Sequence, residues 1–343
     1  MSRRILFVSE GAETSPTRYR ALAYFELLRQ AGWTPEHVTV VGLWRRVLLV
    51  QAAWRADVIV VLRKAFSPGL CRALRRGGGR GRGRRRLVYD IDDALFAGDD
   101  GRADARVARR FARMAAAVDE VWAGNEYLAY EAARHTAVRV LPTAVEMRRY
   151  ALGVKPAAAE GERRLDVVWI GSSSTRKYLE EAVPWLAEAA RGIAADGGTL
   201  RLKIVADFDL PGALEMGLAT EAVRWSEEGE AAALASSGVG VAPLPDNVWT
   251  RGKCGLKIVQ YMAAGLPVIA SPVGMQLSIV EEGRTGLLAR RPEEWVAALR
   301  RLHADRELRR RLGAAGREKA AAQYSVAATF PKMLGALEGL TER

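Results

Sequence analysis

Residues 239–264 read VGVAPLPDNVWTRGKCGLKIVQYMAA, in the order strand, glycine-bearing turn, helix. The run 239–242 is short and apolar, as a strand buried on both faces must be. Residues 256–264 then carry apolar side chains at helical spacing. Between them, Gly252 and Gly255 allow the backbone to approach a ligand closely, and Lys253 and Lys257 add positive charge where the start of a helix already favours an anion. Asp246, Asn247 and Trp249 stand in the same turn.

A second strand-to-helix turn lies at 169–179, WIGSSSTRKYL. Gly171 ends the strand, Ser172, Ser173, Ser174 and Thr175 follow, and the helix opens with Arg176 and Lys177. Free amides, hydroxyl donors and a cation together cradle a diphosphate. The same residues also fit an ordinary serine cap on a surface helix. Two anion-attracting turns in one half of a chain point to a nucleotide diphosphate.

Outward from these turns the alternation continues through the chain. Strand-like runs at 5–8, 58–62, 87–89, 118–122 and 138–141, with helix-length segments at 17–31, 103–117 and 126–135, predict a first α/β domain over 1–152. Residues 153–164, GVKPAAAEGERR, lack apolar periodicity and read as a connection. Runs at 167–170, 202–205, 239–242 and 268–270 predict a second α/β domain over 165–325, with helices at 178–193, 228–236, 256–264, 293–303 and 305–323. Pro184, inside one of these, argues for a kink or a break. The tail 326–343 holds one more helix, which could pack on the first half. Two such halves imply a cleft, with ligands bound at the carboxyl ends of the strands.

At 343 residues, 49% hydrophobic and 27% charged, the chain has the composition of about two globular domains, which excludes collagen, a disordered tail and a disulfide scaffold. Cys71 and Cys254 suit a reducing cytosol and cannot build a four-ligand zinc site. The run 5–8 is too short for the core of a signal peptide, and no apolar run is long enough to span a bilayer, so the expected location is cytoplasmic. There is no G-x-G-x-x-G after a strand, no P-loop, no G-x-S-x-G and no H-E-x-x-H, and dehydrogenase, P-loop kinase and serine hydrolase readings all weaken. His37, His135 and His303 stand singly, with no orienting partner nearby in sequence; His135, ending a helix, fits a dipole contact.

The run 251–274, RGKCGLKIVQYMAAGLPVIASPVG, with VEEGRTGLLA at 280–289, closely resembles the donor-binding region of GT-B glycosyltransferases in the retaining, family 4-like group. WIGSSSTRKYL, DIDDA at 90–94 and SPTRYRALAYFELLRQAGW at 15–33 extend the resemblance over nearly the whole chain. It implies two Rossmann-like domains facing a cleft, the first taking the acceptor and the second the nucleotide-sugar. It further implies hexosyl transfer with retention, in cell-envelope or exopolysaccharide synthesis, without metal or other cofactor. The leaving diphosphate would be stabilised by cationic side chains and helix N-termini. By this resemblance Lys177 falls at a phosphate-contacting lysine, and Gly255, Leu256 and Lys257 at the backbone that meets the diphosphate.

One departure stands out. The family commonly carries two glutamates eight residues apart, one near the donor sugar and one on the ribose, and these positions are Gly252 and Gln260 here. The Gln260 amide can still hydrogen-bond ribose hydroxyls. Gly252 cannot replace a carboxylate, so sugar contacts pass to Asp246 or Asn247, or else the chain is a non-catalytic nucleotide-sugar-binding or partner-binding protein of the same fold.

Asp90, Asp92 and Asp93 follow one strand, and Asp207 and Asp209 another. A D-x-D there could hold a divalent metal in a one-domain, GT-A type enzyme. The cationic turns already neutralise a diphosphate, so no metal site is expected. Asp92 and Asp93 are read instead as the wall of the acceptor side, orienting an acceptor hydroxyl or serving as base, with helix capping as the alternative. The catalytic set is then Asp92, Asp93, Lys253 and Lys257, and Arg18 and Arg20 are expected to meet an acceptor phosphate or the donor diphosphate.

The net charge is +12, and RRGGGRGRGRRR at 75–86 holds seven arginines and no acid, leaving +5 for the rest. That segment reads as a loop attracted to an anionic membrane surface bearing a lipid-linked or envelope glycan, peripheral at the inner face. It lacks the interleaved aromatics that nucleic-acid binding by stacking would need.

Overall fold

The computed structural model describes residues 3–40, 45–76, 84–150 and 163–342, with the backbone alone at 45–48. Residues 77–83 of the arginine-rich segment and residues 153–162 of the expected connection lie outside the described residues. In chain order the first elements are β1 (Arg3–Ser9), α1 (Ser15–Arg20), α2 (Phe25–Gln30), β2 (Trp33–Thr39), α3 (Arg45–Ala53), β3 (Val58–Leu62), α4 (Pro68–Arg75), β4 (Arg86–Ile91), α5 (Ala105–Ala115), β5 (Glu120–Ala123), α6 (Glu126–Ala132) and β6 (Ala137–Val140). There follow β7 (Arg164–Ile170), α7 (Arg176–Ala195), β8 (Thr199–Ala206), α8 (Pro211–Glu215), β9 (Ala219–Arg224), α9 (Glu227–Ala235), β10 (Val239–Ala242), α10 (Val248–Arg251), α11 (Leu256–Ala263), β11 (Val268–Ala270), α12 (Gln276–Ile279), β12 (Gly286–Leu288), α13 (Pro292–Ala304), α14 (Arg306–Lys319) and α15 (Val326–Glu342).

The chain forms two compact units. The first contains Met1–Ala144, Asn247–Cys254 and Val326–Arg343, and the second Val145–Asp246 and Gly255–Ser325. Each is built on a six-stranded parallel sheet, ordered β2-β1-β3-β4-β5-β6 in the first unit and β12-β11-β10-β7-β8-β9 in the second. Each unit is Rossmann-like. Strands such as β3, VIVVL, are buried throughout because helices cover both faces of the sheet. In the first unit one face carries α3, α4, α5 and α6 through Leu49, Leu74, Phe111 and Leu128. The other carries the turn after α1, and α2 and α15, through Ala21, Leu28 and Leu337. In the second, α7 and α13 lock together through Leu186 and Leu299.

Three local expectations need correction. The segment 17–31 is not one helix: α1 stops at Arg20, Ala21 leaves helical geometry at φ −127°, and a single tight turn at Leu22–Tyr24 precedes α2. Pro184 does not break α7, which runs uninterrupted from Arg176 to Ala195 with the proline on its exposed side. Strand β2 was not anticipated because its polar residues Thr34, Glu36 and Thr39 hide the pattern, as suits a sheet edge.

Each sheet also has a topological switch point. In the first, β1 lies between β2 and β3, so the connections leaving β1 and β3 diverge; in the second they diverge between β7 and β10. Crevices open at the carboxyl ends of such strand pairs. In the second unit the β7–β10 ladder is short, pairing Val239 with Val167 and Gly240 with Val168. Beyond it the Tyr261 hydroxyl bridges the parting strands, accepting the Ile170 N–H at 2.9 Å and donating to the Val241 carbonyl at 3.2 Å.

Candidate functional site

The two turns that looked alike in sequence differ once folded. At the start of α7, the Ser173 N–H and hydroxyl both donate to the Asp207 carboxylate, at 3.1 and 2.8 Å. Asp207 follows β8, and the Ser173 hydroxyl, with backbone donors, holds its carboxyl below the usual range. The Ser172 N–H donates to Thr175 Oγ1 at 3.2 Å, and the Ser172 and Ser174 hydroxyls bond one another at 2.9 Å. This turn already holds an anion, supplied by the chain. Gly171 is fixed by its neighbour, since a Cβ there would run into the Trp169 indole. Lys177 is exposed, its ammonium 5.3 Å from the centroid of the Tyr178 ring.

The start of α11 is different. Gly255 stands at the cap in left-handed geometry, φ +68°, a conformation glycine adopts without cost and most residues do not. It brings no side-chain oxygen to the helix, and no acid stands in the first turn of Leu256 and Lys257. The positive end of the α11 dipole is therefore not neutralised by its own cap. Half-buried Lys257 places Nζ 4.4 Å from the centroid of the buried Trp169 ring, at the β7 side of the switch point. The ring's electron-rich face favours the ammonium there. Four residues apart in sequence, Lys253 and Lys257 fall in different units.

Gln260 is buried and its amide nitrogen donates to Glu230 at 2.7 Å and to the Tyr150 hydroxyl at 3.2 Å. Tyr150 and the Trp225 indole N–H also donate to Glu230, each at 2.9 Å. A buried carboxylate is costly unless hydrogen-bonded, and these three donors supply the bonds. Asp246 lines a pocket of about 200 Å³ at the carboxyl ends of β10 and β11, with Tyr178, Trp185 and Arg290 around it.

In the first unit, Arg20 does not line an open surface. It is buried and bidentate on Asp90, with Nε 2.5 Å from Oδ1 and Nη2 2.7 Å from Oδ2, and it also donates to the Leu141 carbonyl and to Thr143. Burial alone would disfavour the charged guanidinium, but Asp90 outweighs it and raises the Arg20 pKa. Arg18, two residues earlier, lies over the Tyr19 ring at 5.2 Å.

Asp92 and Asp93 do come together with two cations. Arg63 reaches Asp92 at 3.5 Å and Asp93 at 2.7 Å, and Lys253 approaches Asp93 at 3.4 Å while lying 5.4 Å from the centroid of the Trp249 ring. Burial raises the Asp93 carboxyl, with Lys253 and Arg63 opposing and Asp92 reinforcing the rise. Such a carboxyl can hold a hydroxyl proton more strongly than a solvated one. Sequence reading missed Arg63. It has φ +59° just past β3, the sole left-handed non-glycine among the described residues, at a cost of order 1–3 kcal/mol. Its N–H donates to the Asp90 carbonyl at 2.8 Å and its carbonyl accepts the Tyr89 hydroxyl at 2.9 Å, which hold it there. The available signal was only its place after a buried central strand.

Gly252 packs in the first unit, and a Cβ would lie 2.7 Å from both the nitrogen and the Cβ of Ala94. Asn125 anchors the same stretch, its amide nitrogen donating to the Gly252 carbonyl at 3.0 Å. Of the aspartate motifs, Asp90 is committed to Arg20 and Asp207 to Ser173. No helix among the described residues is long and apolar enough to cross a membrane.

Residues 164–305 match the family model of glycosyl transferases group 1. The matched span takes in most of the second unit, which is therefore similar to the glycosyl transferases group 1 family. In three dimensions the chain is similar to sucrose-phosphate synthase from Thermosynechococcus elongatus, with a TM-score of 0.73 and 17% identity over 98% of this chain and 99% of that one. It is also similar to a glycosyltransferase from Rickettsia africae (TM-score 0.72, 11% identity, 99% and 98% covered) and to HepE from Anabaena in complex with UDP and glucose (TM-score 0.69, 15% identity, 98% and 100% covered). No curated protein matches in sequence. The fold shared with these glycosyltransferases is GT-B, and the group 1 match covers the turn that carries Ser173 and the helix, α11, that carries Lys257 and Gln260.

Proposed function

We propose that the protein transfers a hexosyl group, with retention and without a metal, from a nucleotide diphosphate to a hydroxyl of a glycan or lipid-linked acceptor in envelope or exopolysaccharide synthesis. The observation that carries this reading is the uncapped start of α11 beside Lys257, at the switch point of a unit similar to the group 1 glycosyl transferases. A leaving diphosphate gains charge as the glycosidic bond breaks, and fixed amides and an ammonium aimed at it lower that barrier. Asp93 and Asp92, set by Arg63 and Lys253, are the acceptor-side groups that would receive a hydroxyl. That HepE was solved with UDP and glucose makes the uridine nucleotide the first donor to try.

A second reading, a nucleotide-sugar-binding protein without turnover, draws on Gly252 and Gln260. The first has no room for a side chain and the second is occupied by Glu230. Thermal shifts with UDP, GDP and ADP, followed by calorimetry, test the common premise, because a ligand that binds only the native state raises the melting temperature. Lys257→Ala should weaken nucleotide diphosphate binding by ten-fold or more, while Lys253→Ala should change it by less than two-fold. Equal binding by parent and Lys257→Ala would refute the diphosphate assignment. Donor bound but neither transferred nor hydrolysed across an acceptor panel would favour the second reading.

A further inference from the structure

Helix α5 reads ARVARRFARMA, with four arginines and no acid. Phe111, Met114 and Ala115 turn inward, and Arg106, Arg109, Arg110 and Arg113 are exposed on the other side. None of the four meets a carboxylate at ion-pair distance among the described residues. Helix α4, in the same layer, likewise has no acid and exposes Arg72. At the flanks of this layer stand two of the most exposed large side chains of the unit, Trp54 just after α3 (63% exposed) and Tyr130 on α6 (66% exposed). Asp104, which caps α5, is the one acid at the start of this helix and feels Arg106 and Arg109; four exposed arginines that make no ion pair within 4 Å among the described residues, with exposed aromatics at the flanks, need a common explanation.

We propose that this layer of the first unit is a docking surface for an anionic lipid bilayer. Its occupant follows from charge complementarity and from where the rings sit. Phospholipid headgroups present a continuous plane of phosphates, which guanidinium groups bind in bidentate fashion. Trp and Tyr, apolar in body and polar at one edge, settle at headgroup depth. Single-stranded nucleic acid calls for rings set among the cations so that bases stack on them. Here Trp54 and Tyr130 lie outside the arginine stripe, and Arg134 already covers the Tyr130 ring, 5.4 Å from its centroid. The surface uses described residues and does not depend on residues 77–83. It is independent of the transferase reading, because binding to vesicles requires no donor.

The test uses the full-length chain and vesicles of phosphatidylcholine with or without 30% phosphatidylglycerol, a composition on the order of the anionic content that attracts basic segments. Co-sedimentation should show binding to the anionic vesicles only, weakening as salt rises. Each arginine removed should weaken partitioning by about five-fold, so Arg106→Gln, Arg109→Gln and Arg113→Gln together should cost about a hundred-fold. The same three positions changed to lysine should stay within a few-fold of the parent, and both triple variants should melt with the parent. With brominated lipids, Trp54→Phe should lose part of the tryptophan quenching. Undiminished binding by the glutamine variant, or no binding by the parent, overturns the proposal. So does tight retention of a single-stranded RNA oligomer by the parent with no vesicle binding, which would move the surface to nucleic acid.

Discussion

A Cβ added at Gly252 would meet the backbone of Ala94, so the position where the family resemblance would place a glutamate is closed by a neighbouring chain segment. Putting the glutamate back should therefore not restore a family feature. Gly252→Glu forces a Cβ to 2.7 Å from Ala94 and should cost about 3 kcal/mol, the upper end of the usual penalty for overpacking, read as a lower midpoint in urea unfolding. An unchanged midpoint would mean the Ala94 segment yields freely. Residue type was legible here and environment was not. The sequence shows a lysine at 253 and another at 257, yet one joins Asp93 and the other lies on Trp169. Arg20 and Arg18 make the same point, two residues apart, one buried on Asp90 and one beside an exposed turn. Nothing local in the chain announces the left-handed Arg63, because that conformation is imposed by what surrounds it.

At the scale of elements, the buried strands were legible because a strand covered on both faces must be apolar throughout, as β3 and β10 are. Of the four edge strands β6 was legible, but β2 and β9, half polar, and β12, only three residues long, escaped. Helix α7 shows where a local rule yields to packing. Pro184 cannot donate to the carbonyl one turn back, yet eleven residues after it stay helical, held by Leu186, Ala187, Ala189, Ala190 and Ile193 in the core. The proline is exposed, so removing it disturbs no core contact. Pro184→Ala should then stabilise the protein by about 2 kcal/mol: roughly 3 from restored helix propensity, less up to about 1 for the freer unfolded chain. Calorimetric melting measures this. A lower melting temperature for the variant would show that the ring contributes packing the helix needs.

At the scale of the molecule, the division into two α/β halves was legible from the alternation of strands and helices, but not the exchange of segments between them. Asn247–Cys254 follows β10 of the second unit and joins the core of the first, where Cys254 is buried and Trp249 packs against the α3–α6 face. Periodicity tells a helix which of its faces is buried and is silent about whose core receives it. The same holds for α15, the last helix of the chain, which belongs to the first unit. Val326, Met333, Leu337 and Leu340 are buried against β1, β3 and α2, and Thr329 bonds the Tyr24 hydroxyl at 2.8 Å. Exposing four such side chains costs about 6 kcal/mol or more, comparable with the 5–15 kcal/mol that typically separates a folded domain from its unfolded chain. A chain ending at Ser325 keeps every residue of the second unit and loses a wall of the first. Hydrogen exchange followed by mass spectrometry should accordingly show β1, β3 and β4 exchanging far faster in the truncated chain, with β7, β8 and β10 still protected. If β1 and β3 stay as protected as in the full chain, the first unit holds its fold without its last helix, and the burial of Leu337 and Leu340 contributes little to it.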